Sequence, residues 1–543
     1  MTLFSKRGSL RACLLGAALG AMAWPGLAMA AWYRADSDHF VVYADDRASD
    51  IEEFTSELER FHGAMALTTG GAVTVPSPSN RVTIFMVRSE REVRELYDGN
   101  NSKYVGGFYV ARAGGSIAIV PRIGTGSTET DFAMITLLHE YAHHFLISSG
   151  SQQMPRWVSE GGAEFFASAS FLRDGGVWIG RAAQHRGYEL YNAETVPVEE
   201  LLDPAVYEKR NHKGYDAFYG KAWLLYHYLT FSEERRGQLG RYLAAIAKGK
   251  GERAAAEEVF GDFKQLEREL GRYLRQSRIL AVRLEADRLP IGAIRISQLT
   301  EGEAKVMPSR IRSQRGVDQE TAKAVLDEVR AVAKSYPDDP GVLTALAEAE
   351  HDAHNYDESV VAADAAIARD PSRVNAYVQK GYSLFAKAQT DDGSIEHRAA
   401  LYKAARAPFV ALNRIENDHP LPLLWYYRSF AMQGKEPNEL AIRGIERASE
   451  LAPFDLGLQM ETAMALLPRH YPELVAFHLR PVAYNPHGGS ETVAAAAVLA
   501  KIEADPEWDG KDVGQVMADA MRKAQPDDAA NSETAKTGAT KRN

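Results

Sequence analysis

The sequence all but lacks cysteine: among 543 residues the single one is Cys13. It lies within the first thirty residues, so a chain trimmed there has no disulfide and no thiolate to offer a metal. Long apolar runs are missing as well. Beyond the N-terminal stretch no segment reaches the roughly eighteen apolar residues that a membrane-crossing helix needs. Nor is there an excess of base, since 63 Lys and Arg face 73 Asp and Glu for a formal charge of −10. A surface of that sign suits phosphate backbones poorly, which argues against nucleic acid as a partner. A phosphate loop is missing too, because Gly124-Thr125-Gly126 has no Lys-Ser/Thr after it.

What is present reads as globular. Hydrophobic residues make up 45% and charged residues 25%, ordinary values for a folded chain. At 543 residues the length exceeds what one core usually serves, so two or three domains are expected.

Residues 1–30 stand apart. Lys6, Arg7 and Arg11 form a positive start, an apolar stretch runs from Ala12 to about Trp24, and Ala28-Met29-Ala30 precedes Ala31. This is the pattern of a secretory signal peptide cleaved after Ala30; an uncleaved N-terminal anchor is the alternative. Cleavage implies a periplasmic or secreted protein.

The next part reads as α+β. Strand-like runs lie at Asp38–Tyr43, Arg81–Val87 and Ser116–Pro121, with helical spacing between them at 48–68 and 89–97. Tyr104–Val110 and Ser116–Pro121 read as a hairpin. Ser116-Ile117-Ala118-Ile119-Val120 fits either an edge strand open to an extended peptide or a buried strand. Helices follow at about 129–148, from Pro155 to about Phe171, and at 214–231, 234–248 and 262–278. Strands first and helices second give a mixed β-sheet lobe plus a helical lobe over 31–284. The stretch 285–316, with Pro290, Pro308, Gly292, Gly302 and Gly316, reads as a linker.

Over 317–505 the pattern becomes an all-α solenoid. Asp339-Pro340, Asp370-Pro371, His419-Pro420, Ala452-Pro453 and Asn485-Pro486 recur at intervals of 31, 49, 33 and 33. A period near about 34 with Ala at helix contacts and Pro at turns is tetratricopeptide-like. The long interval implies an insertion within about 387–415, and 506–543 reads as a polar, largely disordered tail. Such repeats offer a concave surface for a peptide or protein partner.

The chemistry concentrates in His139-Glu140-Tyr141-Ala142-His143, an H-E-x-x-H sequence. Four-residue spacing on a helix puts both imidazoles on one face, where they can share a cation. Ile135, Leu138, Ala142, Phe145 and Leu146 form an apolar stripe beside them, so the pair lies at a buried edge that is costly unless something pairs it. A catalytic zinc takes three protein ligands and keeps one position open. Glu160 supplies the third, sixteen or so residues on, in Trp157-Val158-Ser159-Glu160-Gly161-Gly162-Ala163-Glu164-Phe165. Glu140 is placed as general base. Glu164, one turn beyond Glu160, is placed to hold the far nitrogen of a ligand histidine. Gly161-Gly162 weakens a helix by about 1 kcal/mol per residue, which makes sense if the two motif-bearing helices approach closely around the metal. His144 points about 100° away and is left out of the ligand set. His185, His212 and His227 read as surface or core residues before cleft residues.

With H-E-x-x-H and W-x-x-E-G-x-A-E-F in view, the chain resembles the gluzincin zinc metallopeptidases. More closely, residues 32–278 resemble the bacterial peptidase MA-like domain, on Trp32, His39–Tyr43, Leu138–Phe145, Pro155-Arg156-Trp157 and Phe218-Tyr219-Gly220-Lys221-Ala222-Trp223. The return to the third ligand is slightly shorter than in the best-known gluzincins. The resemblance implies one Zn2+ on His139, His143 and Glu160, with Glu140 as base, cleaving a peptide or protein substrate. By the same analogy a tyrosine after the third ligand steadies the oxyanion: Tyr219 first, Tyr215 second, with simple packing roles open for both. Two other functions stay open, a periplasmic scaffold whose zinc site is vestigial and a hydrolase of non-protein amides such as cell-wall peptides.

Overall fold

The computed structural model describes residues 31–71, 74–98, 105–124, 131–149, 154–209, 215–485 and 488–524. The expected signal peptide with its cleavage site, Thr125-Gly126, His212 and Pro486 lie outside the described residues. Among those described, no helix is long and apolar enough to cross a membrane.

The chain begins with β1 (Trp32–Asp36), β2 (Phe40–Asp45), α1 (Ala48–Thr69), β3 (Val82–Val87), α2 (Glu90–Asp98), β4 (Phe108–Val110) and β5 (Ile117–Pro121). Then come α3 (Phe132–Ser149), α4 (Arg156–Ala167), β6 (Ser170–Phe171) and β7 (Val177–Ile179). Three short helices, α5 (Gly187–Asn192), α6 (Val198–Leu201) and α7 (Pro204–Glu208), lead to α8 (Phe218–Phe231), α9 (Gln238–Ala247), α10 (Glu252–Phe260) and α11 (Phe263–Leu274). The lobe closes with β8 (Val282–Leu284) and β9 (Arg295–Gln298).

A six-stranded sheet has the order β4-β5-β3-β2-β1-β9, and β6-β7-β8 form a small second sheet. β2, β3 and β5 run parallel, while β1, β4 and β9 pair antiparallel. The parallel strands read as nearly unbroken apolar runs because both their faces are covered. One face packs Phe40, Val42, Ile84 and Ala118 against α1 and α3. The other packs Val41, Phe85 and Ile119 against Val93 and Leu96 of α2 and against Met307 and Ile311. The hairpin expected around 104–121 is present as β4 and β5. Ser116–Val120 is not an edge: β5 is buried between β4 and β3, and the edge is β4.

Residues 285–316, read as a linker, hold β9 and the helix α12 (Glu301–Arg315). β9 pairs with β1, and Met307 and Ile311, four apart, bury one face of α12 on the sheet despite Pro308 between them. The helices that follow are α13 (Gln319–Ser335), α14 (Pro340–Asp352), α15 (Tyr356–Arg369), α16 (Val374–Thr390), α17 (Ile395–Ile415), α18 (Pro420–Ala431), α19 (Glu439–Leu451), α20 (Leu456–Leu466), α21 (Pro472–Ala483), α22 (Ser490–Ala504) and α23 (Val513–Ala524). Each packs on the next, giving an all-α region after an α+β one. The 49-residue interval holds no separate insertion, because longer helices α16 and α17 take up the length. Within the expected tail, α23 is helical. The X-Pro signals have a local cause: Asp339 and His419 cap the N–H groups of helices whose first residue is proline.

The helical region docks on the lobe through the turn between α19 and α20. Phe454 lies 4.4 Å ring to ring from His144, and Asp455 accepts the Ala113 N–H at 2.8 Å. Nearby, Asn80 donates to the Leu451 carbonyl at 2.8 Å.

Candidate metal centre

α3 carries His139, Glu140 and His143, and the helical repeat brings the two imidazole Nε2 atoms to 3.1 Å. α4 returns against it and sets Glu160 Oε2 at 3.4 Å from both nitrogens. Donor atoms bound to a tetrahedral zinc at about 2.0–2.1 Å stand about 3.3 Å from one another, so this triangle has the dimensions of three ligands. All three side chains are buried, with Glu160 fully so. They form the one such cluster of His, Cys, Asp or Glu among the described residues, and no fourth side chain of these types joins it.

The far imidazole nitrogens are also held. Glu164 Oε1 lies 3.1 Å from His139 Nδ1, and Ser159 Oγ lies 3.1 Å from His143 Nδ1. With Nδ1 engaged, each Nε2 is aimed at the centre of the triangle. Glu164 is itself anchored by His185 Nε2 at 2.5 Å and by the Arg186 guanidinium. Arg186 reaches on to Glu189 at 3.2 Å, and Glu189 accepts the Gly220 N–H at 2.6 Å where α8 begins. A chain of alternating charge therefore runs from His139 to the start of α8.

That chain sets the electrostatics. Burial disfavours charge on His139, yet the hydrogen bonds it donates to Glu160 and Glu164 outweigh it and lift its pKa to about 10. Burial likewise opposes charge on Glu160 and Glu164, but their histidine and arginine partners hold both below the usual carboxylate range. The centre thus favours a positive charge between its donors, which a divalent cation provides in place of a proton.

Glu140, next along α3, is half-buried, and its charge is felt by Tyr109 of the edge strand β4. His144 takes the Tyr109 hydroxyl at 2.6 Å and stays outside the cluster. Tyr219, in the first turn of α8, has its ring 6.4 Å from that of His139 and 4.8 Å from the Arg186 guanidinium. Burial and the Glu160 charge push its phenol up to about 12, so it stays a hydrogen-bond donor. Tyr215 is exposed and donates to Glu189 at 2.9 Å, away from the triangle. His227 is a core residue, with Nδ1 on the Tyr273 hydroxyl and Nε2 on the Gly180 carbonyl.

The Gly161-Gly162 pair meets α3 at ordinary contact, a Gly162 Cβ standing 3.5 Å from Leu146, and a second helix more closely. A Cβ on Gly161 would stand 2.5 Å from the Ala222 carbonyl oxygen, and one on Gly162 would stand 3.2 Å from the Tyr226 ring. The close approach is of α4 to α8, the helix that bears Tyr219.

A family model described as a protein of unknown function, DUF1570, matches residues 133–251. The match covers less than half of the chain and includes all three donors. No curated protein matches. Among the solved structures that overlap part of the chain are two that show how loose the likeness is. One is a thermophilic TPR protein of Thermus thermophilus, at 15% identity and TM-score 0.31, covering 36% of this chain and 99% of that one. The other is a MamA RS-1 double mutant, at 18% identity and TM-score 0.25, covering 32% and 90%. Overlaps this loose assign nothing to the site.

Two residues of the centre had no role in the sequence reading, and a third was read differently. Ser159 sits beside Glu160 and was within reach of a helical-wheel argument. Arg186 comes from an irregular stretch ahead of α5, and no periodicity links it to α3. His185, read as a surface or core residue before a cleft residue, joins the centre through Glu164.

Proposed function

We propose that the chain is a zinc-dependent metallopeptidase that hydrolyses peptide bonds at His139, His143 and Glu160. The observation that carries the reading is the donor triangle, with edges of 3.1, 3.4 and 3.4 Å and both far imidazole nitrogens engaged. A bound zinc supplies a Lewis acid that acidifies a water and polarises a carbonyl. Glu140 takes the proton of the attacking water and delivers it to the leaving amine. Glu164 keeps His139 in one orientation. Tyr219, protonated at neutral pH, donates to the developing oxyanion. The edge strand β4, unpaired on its outer side among the described residues, pairs with the backbone of an extended substrate.

The same reading assigns 31–284 to the catalytic unit, with β9 completing its sheet, and 317–505 to tetratricopeptide-like repeats that bind substrate or a protein partner. It carries with it removal of residues 1–30 and a periplasmic or secreted location.

The test is metal content of the purified full chain, wild type beside His143→Ala. One zinc per wild-type chain, lost in the variant, is the expected result. If the wild type binds no metal after zinc addition, the peptidase reading fails and a repeat scaffold replaces it.

A further inference from the structure

Between the outer face of the large sheet and the inner helices of the repeats lies a cavity of about 440 Å³, within the size range of small-molecule sites. It is remote in sequence from the metal donors and shares no residue with them. Its walls gather five arginines, Arg34, Arg81, Arg112, Arg310 and Arg373, against two glutamates, Glu348 and Glu416. Like charges crowded round one cavity repel one another unless something compensates them.

The compensation on hand is incomplete. Arg34 and Arg81 share one carboxylate, Asp36, at 2.6 and 3.2 Å. Arg373 is matched by Glu303 and Asp370. Arg112 donates through Nε to the Gly115 carbonyl at 2.8 Å, and Arg310 lies 4.8 Å over the Tyr43 ring. Among the described residues neither Arg112 nor Arg310 has a carboxylate within ion-pair distance. Neither chamber glutamate is within ion-pair distance of these two. Glu416 is engaged by the N–H and hydroxyl of Ser79 at 2.9 and 2.6 Å. Glu348 is buried, and burial together with Asp352 lifts its carboxyl to about 7 although Arg310 and Arg112 act against the rise, so at neutral pH it offers them part of a charge.

We propose that this chamber binds a small polyvalent oxyanion, a molecule bearing two or more carboxylate or phosphate groups, bridged between the sheet and the repeats. Planar guanidinium forks are suited to oxyanions, which they grip through two parallel hydrogen bonds. Arg310 and Arg112 on the sheet side are the anchors. Asn375, which donates to Glu348 at 3.2 Å, brings an amide to the opposite wall. The site is independent of the metal centre and of the activity proposed for it.

Calorimetry on the full chain at constant ionic strength tests this, with tricarballylate and pyrophosphate as probes. The background is the His143→Ala variant, which removes chelation at the metal centre. Saturable binding is expected in wild type and in His143→Ala alike, and the tighter probe tells carboxylate from phosphate. Arg310→Gln should weaken it at least about tenfold. Thr83→Glu leaves every arginine in place and sets a carboxylate on the chamber floor, so it should weaken binding by a similar factor; it decides the matter if Arg310→Gln does not fold. Three results overturn the proposal: no saturable binding of either probe at millimolar concentration, binding that disappears in His143→Ala, or binding unchanged in a folded Arg310→Gln or Thr83→Glu chain.

Discussion

The lobe and the helical region both bury polar side chains, but they arrange them differently. In the lobe, buried charge converges: His139, His143, Glu160, Glu164 and Glu189 from three helices lie within one linked network. In the helical region, buried polar groups are dispersed, some bonding within their own helix and others joining one helix to the next. Ser383 links Ser359 to His351, Gln459 holds His478, and the half-buried Arg428 pairs with Glu461. Dispersed pairs satisfy the hydrogen-bonding needs of a stack. Convergent donors that all need the same positive charge are what mark a site.

That contrast can be broken in several places. The largest effect is on rate: with metal retained, Glu140→Gln should slow hydrolysis of a casein-derived peptide by about a hundredfold or more. Full activity in that variant would remove Glu140 from the mechanism. Next, Glu164→Gln should weaken zinc affinity about ten- to a hundredfold, read by competition with a chromophoric chelator. Ser383→Ala, an equally buried change in the stack, should leave it unaltered, and equal losses in both would erase the distinction.

Acid should cost stability through buried histidines in both regions. Burial lowers the pKa of His227 in the lobe, and of His351, His419 and His478 in the stack, from 6.5 to about 4. The folded chain refuses protons that the unfolded chain accepts below pH 6.5. Stability from these groups is therefore fully present above pH 6.5 and is lost as pH falls toward 4. Chemical denaturation at pH 7.5 and pH 5 measures it, and equal midpoints would contradict the shifts. The smallest effect compares two helical glycines. Gly161→Ala forces α4 from the Ala222 carbonyl and should cost about 1–3 kcal/mol. Gly444→Ala, whose Cβ finds its nearest neighbour at an ordinary 3.4 Å, should stabilise by about 0.5–1 kcal/mol.

What could be read in advance follows from how local each signal is. His139 and His143 lie one turn apart on α3, and Glu160 and Glu164 one turn apart on α4, so helical spacing alone exposed them. The parallel strands were legible because both faces are apolar. β9 was not: it is an outer strand with three of four residues exposed, and it lies between Pro290 and Gly302. α12 was hidden by Pro308 within it. The partner of Gly161 could not be named, since α8 arrives nearly sixty positions later and a glycine in a helix says that something comes close without saying what. Arg186 was invisible for the same reason, because its role depends on a fold that joins three helices.

The pairing of β9 with β1 also governs the order in which the molecule can form. Ser297 meets Arg34 across 263 positions of chain, so β1 gains its outer neighbour only after the other described strands of its sheet have been made. Contacts of such separation are slow to close. Until they do, β1 presents an unpaired edge to any extended segment nearby. A chain ended after β8 keeps every metal donor and loses the strand that covers that edge, so its weakness would show as self-association in the test tube and not as an empty metal centre.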